Sequence, residues 1–246
     1  MKLPALLGLL FLASAAQIFA QAPKTSSGRA FVPLGMAMNR TTGLIYSVSQ
    51  TEDTLLVRRG GSNAILATVS VGARPVAVAV NKRTGLIYVA NQGSRNLTVV
   101  DINTNAVSST LPLAFTPLNL AINSITNRIY VVDEAGNQLT VLDATNGTTL
   151  ATVAVGAKPM AIAVNARTNR IYVASASGSL VSVIDGEANE VIASVAVSAN
   201  PIALVVSPRN NLLYVGYYNS NEVSTIDGRS NAVIGSTFFG STAALR

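Results

Sequence analysis

Short runs of apolar residues, separated by polar turns, recur along the chain. Within residues 75–116 the runs are Val76–Val80, Leu86–Ala90, Leu97–Ile102 and Ala106–Leu113. The segments between them are rich in Asn, Gly, Ser and Thr, which are the residues that form tight turns. The pattern therefore predicts four antiparallel strands in this stretch of the chain.

The same pattern returns every 42 residues, without insertion or deletion. Second-run tyrosines keep this interval, at Tyr46, Tyr88, Tyr130, Tyr172 and Tyr214. The prolines that open the first run keep it too, at Pro33, Pro75, Pro117, Pro159 and Pro201. Four strands at a period of about 40–45 residues are the signature of a β-propeller blade. We therefore predict an all-β propeller with five visible repeats, at residues 33–74, 75–116, 117–158, 159–200 and 201–242.

Residues that recur in the repeats are predicted to be structural. The first run is apolar without interruption, as in Val76–Val80, so this strand is predicted to be buried on both faces. The recurring tyrosines are predicted to pack between sheets. An aspartate closes the third run in repeats two to five and is predicted to cap its own turn, whereas repeat one has Arg59 there. These aspartates are Asp101, Asp143, Asp185 and Asp227.

The first twenty residues have the layout of a secretory signal. Lys2 precedes a long apolar run that ends in small residues near Ala20. Residues 21–30 are predicted to be a linker, and residues 31–246 the propeller. We therefore expect an exported protein that is periplasmic, secreted or on the cell surface, without a membrane span after the signal is cleaved.

The composition limits the catalytic and metal-binding groups that the chain can supply. Charged residues are 11% of the chain and apolar residues 49%, which favours a compact body. The net charge is +6, or +5 once Lys2 is subtracted with the signal, so the excess of cations is mild. Histidine and cysteine are absent, which removes the commonest general base, the thiolate nucleophile and the usual zinc ligands. We predict no catalytic residue, no cofactor and no metal site, and a binding role rather than an enzymatic one.

The segment Tyr88–Asn91, "YVAN", follows a "VAVN" strand and a turn. It resembles the YVTN-repeat β-propeller family of exported and cell-surface proteins of bacteria and archaea. The resemblance spans residues 31–241, and only Asn91 matches the family at the fourth motif position. Because similar propellers include lactonases, the resemblance leaves a lactonase-like hydrolase as an alternative function.

The number of blades is left open. A sixth repeat would open at position 243, where the chain has Ala243 instead of proline. Propellers of the family that it resembles usually have seven blades. The chain is therefore expected to be either a closed five-bladed ring or, as we slightly favour, a truncated part of a larger one.

The loops between the second and third strands differ in every repeat. In a propeller they share one face with the segments that lead into the next blade, and variable loops on a constant scaffold are where ligands bind. We predict that this face binds an unidentified protein, peptide or glycan, with Tyr217 and Tyr218 exposed. The candidate residues are Arg74, Asn91, Arg95, Asp133, Glu134, Lys158, Tyr217 and Tyr218.

Calcium binding at the same face is a weaker alternative. Hard cations take oxygen ligands from several loops, and four acidic residues stand in two of these loops. None of the loops has the spaced pattern of a dedicated calcium loop. The four residues are Glu52, Asp53, Asp133 and Glu134.

Seven cations lie in or beside the turns between the first and second strands, on the predicted opposite face. A solvated surface explains them, and the alternative is a polyanion site for nucleic acid, anionic lipid or a cell-wall polymer. Nucleic acid is not favoured, because no aromatic residues stand among the cations to stack on bases. The seven are Arg40, Lys82, Arg83, Arg128, Arg167, Arg170 and Arg209.

Overall fold

The computed structural model describes residues 35–218 and 220–239. These residues form five four-stranded antiparallel sheets, in each of which neighbouring strands are consecutive in the chain. The predicted all-β class and the four-stranded blades are therefore confirmed. The predicted signal at residues 1–20 and the linker at residues 21–30 lie outside the described residues.

Each sheet corresponds to one sequence repeat. The first contains β1 (Met36–Asn39), β2 (Leu44–Ser49), β3 (Thr54–Arg59) and β4 (Ile65–Ser70). The second contains β5 (Pro75–Asn81), β6 (Leu86–Asn91), β7 (Asn96–Asp101) and β8 (Val107–Pro112). The third contains β9 (Pro117–Asn123), β10 (Arg128–Asp133), β11 (Gln138–Asp143) and β12 (Thr149–Ala154). The fourth contains β13 (Pro159–Asn165), β14 (Arg170–Ser175), β15 (Leu180–Asp185) and β16 (Glu190–Ala196). The fifth contains β17 (Pro201–Ser207), β18 (Leu212–Tyr217), β19 (Glu222–Asp227) and β20 (Ala232–Phe238).

The first strand of each sheet is less uniformly buried than its apolar sequence predicts. In β5 every residue except Ala79 is buried, as predicted. In β9, β13 and β17 most side chains are half-buried, so the prediction is wrong for these strands. Each first strand stands at a sheet edge and pairs with one neighbour only, which leaves part of its surface uncovered.

The chain divides into two compact units, one with the described residues up to 152 and the other with those from 153 onward. In the unit up to residue 152, the sheets pack face to face. Tyr46 and Leu55 of the first sheet pack against Ile87 and Val89 of the second, and all four side chains are fully buried. The opposite face of the second sheet packs through Tyr88 and its neighbours against the third. Burial of these apolar side chains is the main force that holds the packed sheets together.

The unit from residue 153 onward is built in the same way. Tyr172 and Val183 of the fourth sheet pack against Leu213 and Val215 of the fifth. The packing role predicted for the recurring tyrosines is confirmed for Tyr46, Tyr88 and Tyr172, while Tyr214 in the fifth sheet is half-buried. Among the described residues, no helix is long and apolar enough to span a membrane. The fully buried tyrosines are Tyr46, Tyr88, Tyr130 and Tyr172.

Candidate functional site

Every sheet has two ends, which differ in the segments that they carry. The hairpin end contains the turn between strands one and two and the turn between strands three and four. The connection end contains the turn between strands two and three and the segment that leads into the next sheet. The candidate ligand residues lie at connection ends, and the candidate polyanion residues lie at hairpin ends.

Aspartates at the ends of the third strands hold the turns of the hairpin end. Oδ1 of Asp101 accepts the N–H groups of Asn103 and Thr104 at 2.8 and 3.0 Å. Hydrogen bonds from the turn amides hold the pKa of the Asp101 and Asp185 carboxyls below their usual range. The same bond is present in the third, fourth and fifth sheets, where Oδ1 of the aspartate accepts the backbone N–H of the residue two positions later at 2.7 to 2.8 Å. The capping role is therefore confirmed for Asp143, Asp185 and Asp227 as well.

A buried asparagine at the end of the first strand ties neighbouring sheets together at the hairpin end. Asn81 is fully buried, accepts the N–H of Arg83 at 3.1 Å, and donates from Nδ2 to Oδ1 of Asn127 at 2.7 Å. Asn165 makes the same 2.7 Å bond to Asn211. Sequence reasoning missed this role, although the asparagines keep the 42-residue spacing, at Asn39, Asn81, Asn123 and Asn165.

Two of the seven candidate polyanion residues stand opposite aspartates. Arg170 is the register partner of Asp185, and its Nη1 forms an ion pair with Asp185 Oδ2. Arg128 holds the same register position opposite Asp143. The carboxylates therefore share the hairpin end with the cations and reduce its positive potential. The other five cations are exposed in the turns, at Arg40, Lys82, Arg83, Arg167 and Arg209.

Positive charge at the hairpin ends is concentrated in the first sheet. The hairpin end of this sheet carries three cations and no carboxylate. The cations are Arg40, Arg58 and Arg59. In the fourth sheet, by contrast, three carboxylates stand beside two cations, which are Asp185, Glu187 and Glu190 beside Arg167 and Arg170.

At the connection ends, Asn91 and Asp133 are buried and take part in the architecture. Nδ2 of Asn91 donates to Asn96 Oδ1 at 2.7 Å and to Thr98 Oγ1 at 2.8 Å. Asp133 accepts the N–H of Gly136 at 3.1 Å, and Gln138 Nε2 donates to it at 3.0 Å. Both residues end a second strand, so their side chains hold the following turn instead of facing outward.

The adjacent tyrosines of the fifth sheet have opposite surroundings. Tyr217 is only 6% exposed, and its hydroxyl donates to Ser224 Oγ at 2.7 Å. Tyr218 begins the turn after β18 and is 62% exposed. The predicted exposure is therefore confirmed for Tyr218 and wrong for Tyr217, whose ring belongs to the apolar core of its unit.

A carboxylate that sequence reasoning did not single out lies next to Tyr217. Glu222 accepts hydrogen bonds from Ser198 Oγ at 2.9 Å and from Ser224 Oγ at 3.2 Å. Hydrogen bonds from the hydroxyls of Ser236, Ser198 and Ser224 lower the pKa of this carboxyl, so it stays ionised. It joins the connection from the fourth sheet to a strand of the fifth.

Three cations of the candidate ligand set are exposed on turns. Arg74 and Lys158 each precede the proline that opens a first strand, and Arg95 stands in the turn between β6 and β7. The N–H of Gln92 donates to the carbonyl of Arg74 at 2.9 Å, which joins these turns in the second sheet. Glu134 is half-buried at the start of its turn. The backbone is thus fixed while the cationic side chains project from it.

The backbone conformation of the two kinds of end differs. Among the described residues, ten positions at hairpin ends have positive φ, and all ten are glycine or asparagine. Seven positions at connection ends have positive φ, and only two are asparagine. Left-handed backbone is easy for glycine, tolerable for asparagine and unfavourable for other residues. The seven are Asp53, Arg74, Arg95, Asn137, Lys158, Ser179 and Asn200.

Two of the four acidic residues proposed for calcium form hydrogen bonds within the fold. Oδ1 of Asp53 accepts the backbone N–H of Arg74 at 2.8 Å, and Asp133 binds its own turn. Within residues 35–218 and 220–239, no three acidic side chains come together as metal ligands.

No family model and no curated protein sequence matches the chain. A solved structure, hydrazine synthase of Kuenenia stuttgartiensis, is similar to it in fold, with a TM-score of 0.73 and 16% sequence identity. The alignment covers 86% of this chain and 67% of the hydrazine synthase chain. At this identity the likeness establishes the β-propeller fold.

Proposed function

We propose that the protein is an exported propeller of the YVTN-repeat type that acts as a binding module at the cell envelope. Its ligand, a protein, peptide or glycan, contacts the connection ends of the sheets. The secretory layout of residues 1–20 and the motif Tyr88–Asn91 support export and family membership.

The observation that carries this proposal is the choice of residues in left-handed backbone. Arg74, Arg95 and Lys158 occupy positions with φ of 52°, 50° and 57°. At the equivalent positive-φ positions of other sheets the chain uses only short polar residues, among them Asn200 and Asn137. Residues in unfavourable backbone conformations cluster at functional sites, so long cationic side chains at such positions indicate a functional role. Contact with a ligand is such a role.

The proposal can be tested on arrays of immobilised glycans and peptides. The arrays are probed with the wild-type chain and with the variants Arg74→Asn, Arg95→Asn and Lys158→Asn. Loss of a cationic contact weakens binding by about tenfold. Arg209→Asn, which removes an exposed charge at a hairpin end, is the matched control. Binding that responds to Arg209→Asn and ignores the other three substitutions would move the ligand to the hairpin ends.

The hydrolase alternative gives a different result. Turnover of a lactone panel that stops when a chelator is added would establish an enzyme and contradict a pure binding role. Catalysis would then depend on carboxylate, Tyr, Lys or Ser side chains, because the chain has no His and no Cys.

A further inference from the structure

We propose that the hairpin end of the first sheet binds a phosphoryl group, at the turn formed by residues 59–63. The site follows from a single exchange within the repeat. In the other four sheets this turn opens with an aspartate, whereas here it opens with Arg59. The proposal is independent of the function proposed for the connection ends.

The turn keeps its geometry without the aspartate. The N–H of Asn63 donates to the carbonyl of Arg59 at 2.8 Å, and Asn63 has a φ of 55°. In the second sheet the matching bond, from Asn105 to Asp101, measures 2.9 Å, and the φ of Asn105 is 54°. The backbone is therefore shaped to hold an anionic oxygen that the first sheet does not supply.

Two amide groups are left for an external anion. Asn103 and Thr104 direct their N–H groups at a carboxylate oxygen in the second sheet. The equivalent amides in the first sheet belong to Gly61 and Ser62, and neither finds an acceptor among the described residues. Among the described residues, no atom outside Gly61 and its two chain neighbours lies within 4 Å of the position that a Cβ on Gly61 would take, so this side of the turn is open. Successive backbone N–H groups in such a turn form an anion-binding concavity.

The surrounding charges favour a doubly charged group. Nη1 of Arg58 donates to the carbonyl of Asn63 at 3.4 Å, which places one guanidinium on this turn. Arg59 is exposed on the turn itself. The N–H of Gly60 donates to Gly43 O at 3.0 Å, which ties the turn to the neighbouring one that bears Arg40. A phosphoryl group offers one oxygen to the amides and others to guanidinium groups, which bind phosphate well.

Titration of the purified, ¹⁵N-labelled chain with inorganic phosphate at constant ionic strength tests the site by NMR. We expect the amide resonances of Gly61 and Ser62 to shift and saturate. The amides of Asn103 and Thr104, whose place is filled by Asp101, are the control within the same molecule. Shifts at Gly61 and Ser62 that do not saturate, or that are no larger than those of the control pair, overturn the proposal.

The variant Arg59→Asp restores the residue that four other sheets carry, so we expect it to fold. Its carboxylate fills the turn, and phosphate affinity should fall by at least about tenfold. Arg209→Asp makes the same charge change at another hairpin end and should leave the affinity unchanged. Equal losses in both variants would show a general charge effect and overturn the site.

Two sources of the phosphoryl group are distinguished by vesicle flotation. Binding to vesicles that contain phosphatidic acid, whose phosphomonoester can carry two charges, but not to phosphatidylcholine vesicles, identifies a lipid headgroup if it disappears in Arg59→Asp and persists in Arg209→Asp. Saturable binding of inorganic phosphate without vesicle binding identifies a free phosphate. Either result supports the site.

Discussion

The hydroxyl of Tyr88 donates a hydrogen bond to the carbonyl oxygen of Ala144, at 2.8 Å, across 56 residues of sequence. The bond is buried and joins the second strand of one sheet to a turn of the next. Tyr88 therefore links two sheets by a polar contact in addition to filling apolar space between them. Burial raises the pKa of this phenol, so the hydroxyl remains a donor at neutral pH.

We expect Tyr88→Phe to lower the free energy of unfolding by about 1–2 kcal/mol, because the carbonyl of Ala144 loses its buried donor. Tyr46→Phe is the matched control. Tyr46 occupies the same place in the first sheet, and its buried hydroxyl has no hydrogen-bond partner among the described residues. Urea unfolding measures both variants. Equal destabilisation would mean that the Tyr88 bond contributes nothing of its own.

The cations in left-handed backbone allow a test in which loss of function accompanies a gain in stability. Arg74→Asn and Lys158→Asn should each raise the free energy of unfolding by about 1 kcal/mol, because asparagine accepts positive φ more easily. The reverse substitution, Asn200→Lys, should lower it by a similar amount. Thermal and urea unfolding provide the values. If Asn200→Lys is neutral, the backbone at this position does not discriminate between the two residues.

The fold was predictable because its signals are local and repeated. The 42-residue spacing of the tyrosines and prolines gave the sheets, and the Asn- and Gly-rich segments gave the turns. The aspartate caps were predictable as well, since Asp binds amides within its own turn. Asp101 needs no distant residue to play this role, so its neighbours in the sequence suffice.

The candidate site was less predictable, because the alternation of apolar and polar residues does not show which side chains are buried when both faces of a sheet are covered. Asn91 reads as the first residue of a polar loop, yet it ends β6 and is fully buried. Tyr217 holds the same place in β18. The pairing of Arg170 with Asp185 likewise depends on strand register, which the sequence shows only after the turn lengths between the strands are known.

Acid should weaken the fourth sheet through Asp185. Its pKa is lowered in the folded chain, chiefly by the amides of Ala188 and Glu187 and then by Arg170. The lowered pKa stabilises the folded chain at every pH above about 4, which is the pKa of an aspartate in the unfolded chain. This stabilisation is lost as the pH falls from there through the pKa of Asp185 in the folded chain. We expect the melting temperature of Asp185→Asn to depend less on pH than that of the wild type below about pH 4.

A second variant separates the two causes of this acid dependence. Arg170→Gln removes the ion pair and leaves the two amide bonds of Asp185 in place. If the amides dominate, this variant keeps most of the wild-type acid dependence in melts recorded from neutral to acidic pH. A pH profile that matches the one of Asp185→Asn would assign the effect to the ion pair instead.

The buried asparagine of the second sheet should be the most sensitive polar position at the hairpin end. Asn81→Ala removes the donor to Asn127 and the acceptor of the Arg83 N–H in one step, and we expect a loss of about 2–3 kcal/mol. Asn81→Asp keeps the acceptor, but it places a carboxylate against Asn127 Oδ1. Rotation of the Asn127 amide would relieve this contact if the Thr145 hydroxyl, which accepts from Nδ2 at 3.0 Å, turned to donate to Oδ1, but the carboxylate would still be fully buried.

Both variants are therefore expected to destabilise the second and third sheets together, which hydrogen exchange of the β5 and β9 amides measures alongside urea unfolding. Asn103→Ala, an exposed residue of a turn at the same end, is the control and should change little. Because Asn81 bridges two sheets, protection should fall on both sides of the bond. Loss confined to β5 would show that Asn81 only holds its own turn and that the apolar core alone joins the sheets.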